Sequence, residues 1–187
     1  MRDPYLYPDS DVLKNLSDIH DMGMLKNMEA DYTSFRLSEV VMDNTERQYN
    51  FEALCNMHYN IFQDVYEWAG KPRVINIEKA EIVLGEISVE YSDCFDIVKD
   101  AEQVLDEMNH YDWQNASFEN VVRKFSDYMA KLWRVHPYRE GNTRTVEDCI
   151  RTARLLVTQK NIRKIIFWNR KGYKEHSIEE IRNYLRK

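Results

Sequence analysis

Residues 136–145 read HPYREGNTRT. They set an imidazole, a carboxylate, a glycine, an amide and a guanidinium within nine positions of a chain that has only 5 glycines and 4 prolines in 187 residues. Pro137 disfavours helix in the residue before it, so His136 is predicted to stand where a helix gives way to a loop. Gly141 permits a tight turn and Asn142 tolerates unusual dihedrals. From Thr143 to Leu156 the pattern is helical again. A loop of this kind that opens a helix points backbone N–H groups outward, at the end of the helix dipole that favours negative charge. A cation at Arg144, in the first turn, is unfavourable unless an anion meets its guanidinium fork.

Glu140 precedes that loop. A carboxylate beside a phosphate repels it unless a divalent cation lies between, and Mg²⁺ commonly takes one or two carboxylates plus phosphate oxygens. His136 titrates near neutrality and suits deprotonation of an attacking hydroxyl. Each residue alone has an ordinary reading: His136 as a helix end, Gly141-Asn142 as a turn, Glu140 as a surface acid. Together they imply Mg²⁺-assisted transfer of a phosphoryl-containing group from a nucleotide to a hydroxyl.

Outward from the motif, helical periodicity dominates. Residues 117–134 turn Val121, Val122, Phe125, Tyr128, Met129 and Leu132 to one side, with Ser117 in an N-cap position. Residues 48–68 repeat Phe51, Leu54, Met57, His58, Ile61, Val65 and Trp68 at spacings of three and four, and Gly70-Lys71-Pro72-Arg73 breaks the run. Residues 93–109 predict a further helix with Phe95, Val98, Ala101, Val104, Leu105 and Met108 inward. Between these lies 73–91, where Val74, Ile75 and Ile77 face Ile87, Val89 and Tyr91 across Leu84-Gly85. This predicts a two-stranded hairpin, which must pack on the helices to be stable. Residues 5–15 read as a non-helical arm, followed by two shorter helices up to about residue 43. The fold class is mainly α with one hairpin.

Composition narrows the function. The chain carries 26 Lys/Arg against 32 Asp/Glu, a net charge of −6. Residues 151–187 hold 11 Lys/Arg and 3 Asp/Glu, which leaves 15 against 29 in residues 1–150. An acidic body argues against direct nucleic-acid binding. The basic end reads as a solvated helical tail packed on that body. No apolar run reaches the roughly 18 residues of a membrane helix. Met1 is followed by Arg2, Asp3 and Pro4, so no signal peptide is expected. Cys55, Cys94 and Cys149 are scattered and read as reduced thiols of a cytoplasmic protein.

HPYREGNTR resembles the Fic-family signature HPFxxGNxR, with Tyr138 in place of Phe. YLYPDSDVLKN near the start, HYNIFQDVYEWAGKPR at 58–73 and the hairpin ahead of the 93–109 helix are similar to their Fic counterparts, so the likeness spans roughly residues 1–146. It implies a Fic-type helical bundle with a hairpin flap: one Fic domain over 1–187, with its core at about 1–146 and an atypical basic segment at 147–187. It implies a protein adenylyltransferase that moves AMP from ATP to a Ser, Thr or Tyr hydroxyl of a target protein. In that scheme His136 is the base, Glu140 holds Mg²⁺, Gly141, Asn142 and Thr143 form the anion-binding nest, and Arg144 binds the distal phosphates. The flap tip, Val83, Leu84 and Gly85, holds the target by strand-like pairing. The related Doc branch transfers phosphate and has Ala-Asn-Lys where this chain has Gly141-Asn142-Thr143, so the glycine favours nucleotidyl transfer.

The chain departs from the family in three ways. Glu147, followed by Asp148, stands where many members have a second arginine; at ~4 Å and an effective dielectric of about 20, a like-charge pair costs on the order of 4 kcal/mol. The segment after Val146 is short and basic. The inhibitory pattern Ser/Thr-xxx-Glu-Gly/Asn is missing, since Ser177 is followed four residues on by Ile181. The alternatives are a catalytically weak Fic-fold binding module, or transfer of phosphate, UMP or phosphocholine. A toxin-like role, a separate antitoxin and a homo-oligomer stay open as expectations from the family.

Overall fold

The computed structural model describes residues 3–42, 50–78, 80–81, 87–88, 90–113 and 115–146. They are mainly helical: α1 (Met22–Met42), α2 (Phe51–Phe62), α3 (Ile97–His110) and α4 (Phe118–Val135), with β1 (Ala80–Glu81) and β2 (Ile87–Ser88) between α2 and α3. No helix among these residues is long and apolar enough to cross a membrane.

α4 forms because its apolar residues repeat at helical spacing and its start is capped. The Ser117 hydroxyl accepts the Asn120 amide at 3.3 Å, which satisfies one of the orphan donors of the first turn. Val121, Phe125, Tyr128, Met129 and Leu132 are buried as the periodicity predicts. α2 is capped by Asn50, whose Oδ1 accepts the Ala53 amide at 2.8 Å. It is shorter than the predicted 48–68. After Phe62 the backbone winds on in turns, Val65 and Tyr66 donating to the Phe62 carbonyl. Gly70 then reverses the chain at φ +75°, where a Cβ would stand 2.9 Å from the Cys55 carbonyl oxygen. The two ideas that α2 buries Leu54, Met57, His58 and Ile61 and that Val65 continues its stripe both hold.

Three expectations are corrected. The two short helices before residue 43 are one 21-residue helix; after Gly23 no glycine or proline interrupts it, and tertiary packing against α2 supplies what its weak apolar stripe does not. α3 starts at Ile97 rather than Asp93, because the Asp93 carboxylate caps the Phe95 amide at 2.9 Å in the turn ahead of it. In consequence Phe95 points out of the core, 93% exposed, Val98 is exposed too, and Ile97 takes the inward place. The hairpin is antiparallel, with Ala80 opposite Ser88 and Glu81 opposite Ile87. Its first strand therefore lies later than Val74–Ile77, and its predicted tip, Val83, Leu84 and Gly85, lies outside the described residues, as do Glu147 and Asp148.

One buried cluster joins Leu25 of α1, the inner face of α2, Leu105 and Met108 of α3 and the stripe of α4. The arm predicted at 5–15 doubles back on itself: Tyr7 donates to Val12 and Lys14 to Tyr5. Its Tyr5 hydroxyl accepts the Val74 amide at 3.0 Å, which ties the arm to the segment leading into the hairpin. Cys55 and Cys94 are free thiols.

Candidate active site

α4 ends at His136, which adopts the left-handed region at φ 48°, ψ 61°. A non-glycine residue rarely does so, although histidine does more often than most. Pro137 bars the right-handed continuation, and Arg73 fixes the result. The Arg73 side chain is almost fully buried. Its Nε donates to the His136 carbonyl at 2.9 Å, and its backbone amide to the Pro137 carbonyl at 2.8 Å. Its remaining donors reach the Ile75 carbonyl at 2.7 Å and the Ser92 carbonyl. One buried cation thus joins the motif to both flanks of the hairpin.

His136 is 4% exposed. It stacks on Tyr91 with centroids 4.0 Å apart. Its Nδ1 lies 3.3 Å from the Trp133 carbonyl. A carbonyl can only accept, so Nδ1 carries the proton in the neutral ring and the basic lone pair falls on Nε2.

Behind the loop, His58 of α2 plays a part that its place in a hydrophobic repeat conceals. Gly70 N–H donates to its Nδ1 at 2.8 Å. Nε2 therefore carries the proton and donates to the Glu140 carbonyl at 3.0 Å. Burial pulls the imidazole down to about 4, so it is neutral at physiological pH and its tautomer is set by its two partners. Its ring lies between Tyr138, at 3.8 Å, and Phe62, at 4.6 Å. Tyr138 is fully buried, so the aromatic ring that replaces phenylalanine anchors the loop as expected.

Gly141 sits at φ +81°, and a Cβ there would fall 2.3 Å from the Phe62 ring. Both dihedral and space require glycine. Asn142 closes the turn with its side chain: Oδ1 accepts the Tyr138 amide at 2.8 Å and Nδ2 donates to the Tyr138 carbonyl at 2.7 Å. It acts on the loop's shape, which a reading of Asn142 as an anion ligand alone does not reveal. A helix begins at 142; its Thr145 donates amide and hydroxyl to the Gly141 carbonyl at 3.0 and 2.9 Å. Thr143 is exposed at its start.

In front of the loop lies a cleft of about 640 Å³. His136, Arg139 and Glu140 line it from the motif, Val74 to Glu78 from the hairpin approach, Cys94 and Phe95 from the α3 approach, and Asp3 from the arm. His136 and Glu140 thus share one cleft. Arg139 is paired with Asp3 at 2.8 Å, so the wall is net negative, and an anion entering it needs an accompanying cation. Glu140 is the acid on the motif itself; its Oε1 accepts the Gly141 amide at 3.0 Å. Among the described residues no three His, Cys, Asp or Glu side chains gather to bind a metal unaided. One carboxylate suits Mg²⁺, which relies on substrate oxygens and water for its other ligands.

Arg144 is not among the residues lining that cleft; it packs between Glu140 on the cleft wall and α1 and α2. Its Nη2 lies 2.5 Å from Glu29 Oε1 and its Nη1 donates to Thr33 Oγ1 at 3.3 Å. The guanidinium carbon sits over the Phe62 ring, 4.7 Å from its centroid. Glu140 is 3.9 Å from Nη2. Glu29 also accepts the Tyr66 hydroxyl. Glu29, Tyr66, Arg73 and the bracing role of His58 are the residues that sequence reasoning missed. Only Glu29 and Thr33 carry a faint signal, an acid and a hydroxyl one helical turn apart.

The Fic/DOC family pattern matches residues 48–149. Protein adenylyltransferase VbhT of Bartonella schoenbuchensis is 29% identical over 148 residues, covering 79% of this chain and 30% of that one. The chain therefore spans under a third of that relative's length. Probable protein adenylyltransferase y4lH of Sinorhizobium fredii is 33% identical over 147 residues, 78% of this chain and 71% of that one. Among solved structures, BepC from Bartonella tribocorum, with bound AMPPNP, superposes with a TM-score of 0.69 at 15% identity over 97% of this chain and 93% of its own; that likeness is one of fold. The family pattern runs through more than half of the 187 residues, and its signature loop is the one wedged against α2: the chain belongs to the Fic/DOC family.

Proposed function

We propose that this protein is an adenylyltransferase that moves AMP from ATP onto a hydroxyl side chain of a target protein. The observation that carries the reading is the sharing of one cleft by His136, with its lone pair on Nε2, and Glu140, beside a glycine-bearing turn. The hydroxyl proton passes to His136 Nε2. The freed oxygen attacks the α-phosphorus, the bond to the β-phosphate oxygen breaks, and pyrophosphate leaves. Glu140 would hold Mg²⁺, which when bound neutralises charge on the phosphates. Asn142 and Thr143 would receive the phosphates on backbone amides, Gly141 would join them once its amide leaves Glu140 Oε1, and Arg144 would receive the distal ones. The target chain would pair with the hairpin edge, its hydroxyl in line with His136. Relatives named as adenylyltransferases and a fold neighbour holding AMPPNP support this reading.

A second reading, a catalytically weak binding module, draws on the pairing of Arg144 with Glu29, which neutralises a charge meant for phosphate. Incubating the protein with lysate and either α- or γ-labelled ATP separates the readings. Label transferred from the α-phosphate alone supports adenylylation. γ-Label alone means phosphate transfer, and no label with a retained partner means a binding module.

A further inference from the structure

We propose that Glu29 is the positioning residue for Arg144: it holds the guanidinium in one orientation for the nucleotide's distal phosphates. The inference rests on the reading of Arg144 just given.

The geometry distinguishes a fixed support from a removable plug. Glu29 is gripped at both oxygens, Oε1 by Arg144 at 2.5 Å and Oε2 by the Tyr66 hydroxyl. Its side chain is 14% exposed, and it stands well inside α1. Burial first, and then the charge of Glu29, push the Tyr66 phenol far above its ordinary value, so Tyr66 stays a donor. Thr33, one turn on, donates its own hydroxyl proton to the Glu29 backbone carbonyl at 2.7 Å. That leaves its oxygen lone pair to accept from Arg144 at 3.3 Å. Phe62 supports the planar face. Glu29 and Thr33 engage two of the five N–H groups that a guanidinium carries, and the Glu140 carboxylate stands 3.9 Å from Nη2, the same nitrogen that Glu29 holds.

A long, flexible arginine loses much rotamer freedom on binding an anion; one already held loses less. Against this stands the charge of Glu29, which offsets that of Arg144 and opposes phosphate. The two effects predict opposite signs for Glu29→Gln, which keeps shape and removes charge.

The experiment is calorimetric titration with ATP and with AMP, in Mg²⁺, of the unaltered chain, Glu29→Gln, Arg144→Ala and the double variant, each checked by thermal melting. AMP lacks the distal phosphates. A positioning role predicts that Glu29→Gln weakens ATP about tenfold and leaves AMP unchanged. The double variant should bind ATP no worse than Arg144→Ala alone. ATP bound equally well or more tightly by Glu29→Gln, while Arg144→Ala binds it poorly, overturns the inference and leaves the reading of Arg144 standing. Equal losses for ATP and AMP mean a merely structural part and overturn it too. Undiminished ATP affinity in Arg144→Ala removes the reading of Arg144, and the inference with it. If Glu29→Gln does not fold, Tyr66→Phe, which frees one oxygen of Glu29, is titrated instead: a selective loss for ATP supports the inference, and parallel losses or none overturn it.

Discussion

The loop at 136–146 has two sides that could hardly differ more. Toward α2 it is packed to exclusion: Tyr138 on His58, Gly141 on Phe62, Asn142 bonded at both ends to Tyr138. Toward the cleft, its neighbours are Val74, 68% exposed, and Phe95, 93% exposed, on segments without regular structure. The contrast teaches where precision is needed. Groups proposed to handle phosphate and proton must be held to fractions of an ångström, and a close-packed backing achieves this. The side proposed to receive a protein segment is left open, with apolar side chains exposed among acidic ones.

The largest test of the contrast is His136→Ala. General-base removal is expected to lower transfer by about 10²–10⁴-fold, read by label incorporation, while the fold is retained because the loop's other anchors lie behind it, at the stability cost of a lost buried ring. Unaltered transfer would place the base elsewhere. Next comes Gly141→Ala, which strikes the packed side: the methyl meets Phe62 and the dihedral is wrong for alanine. A loss of about 3 kcal/mol in denaturant unfolding is expected, with transfer lost as the turn deforms. An unchanged midpoint would mean that the wedge relaxes freely.

His58 gives a pH test of the same backing. Its folded-state value is lowered from about 6.5 to about 4. Between those values the unfolded chain takes up a proton that the folded chain refuses. Stability therefore falls as pH drops from about 6.5 toward 4, by on the order of 3 kcal/mol from this group. Above pH 6.5 both states are neutral here and the group adds no slope. His58→Gln should be less stable at neutral pH, with a shallower decline over that window in urea titrations; parallel curves would show that His58 is not the group responsible. The smallest effect is expected on the open side. Phe95→Ser should change stability by less than about 0.5 kcal/mol and raise the KM for a protein target about threefold without changing kcat. A change in kcat would make Phe95 part of the packed machinery after all.

Much of this was legible because it is local. The motif states its own turn, Ser117 its cap, and α2 and α4 their stripes. Three things were not. α1 lacks a clear stripe, so its length depends on packing that periodicity does not report. Phe95 looks inward on a helical wheel, but Asp93 caps the turn before the helix and rotates it out. Glu29 and Arg144 stand 115 residues apart, and no spacing rule connects them. The residues that orient the motif come from distant segments, and only folding assembles them.

The grip of Arg73 has a mechanical corollary. One guanidinium tethers the residue bearing the proposed base to both feet of the hairpin. Strain applied to the hairpin by an ill-fitting polypeptide would travel along that tether and tilt the imidazole. Discrimination among polypeptides would then register in the speed of the chemical step as well as in the tightness of capture.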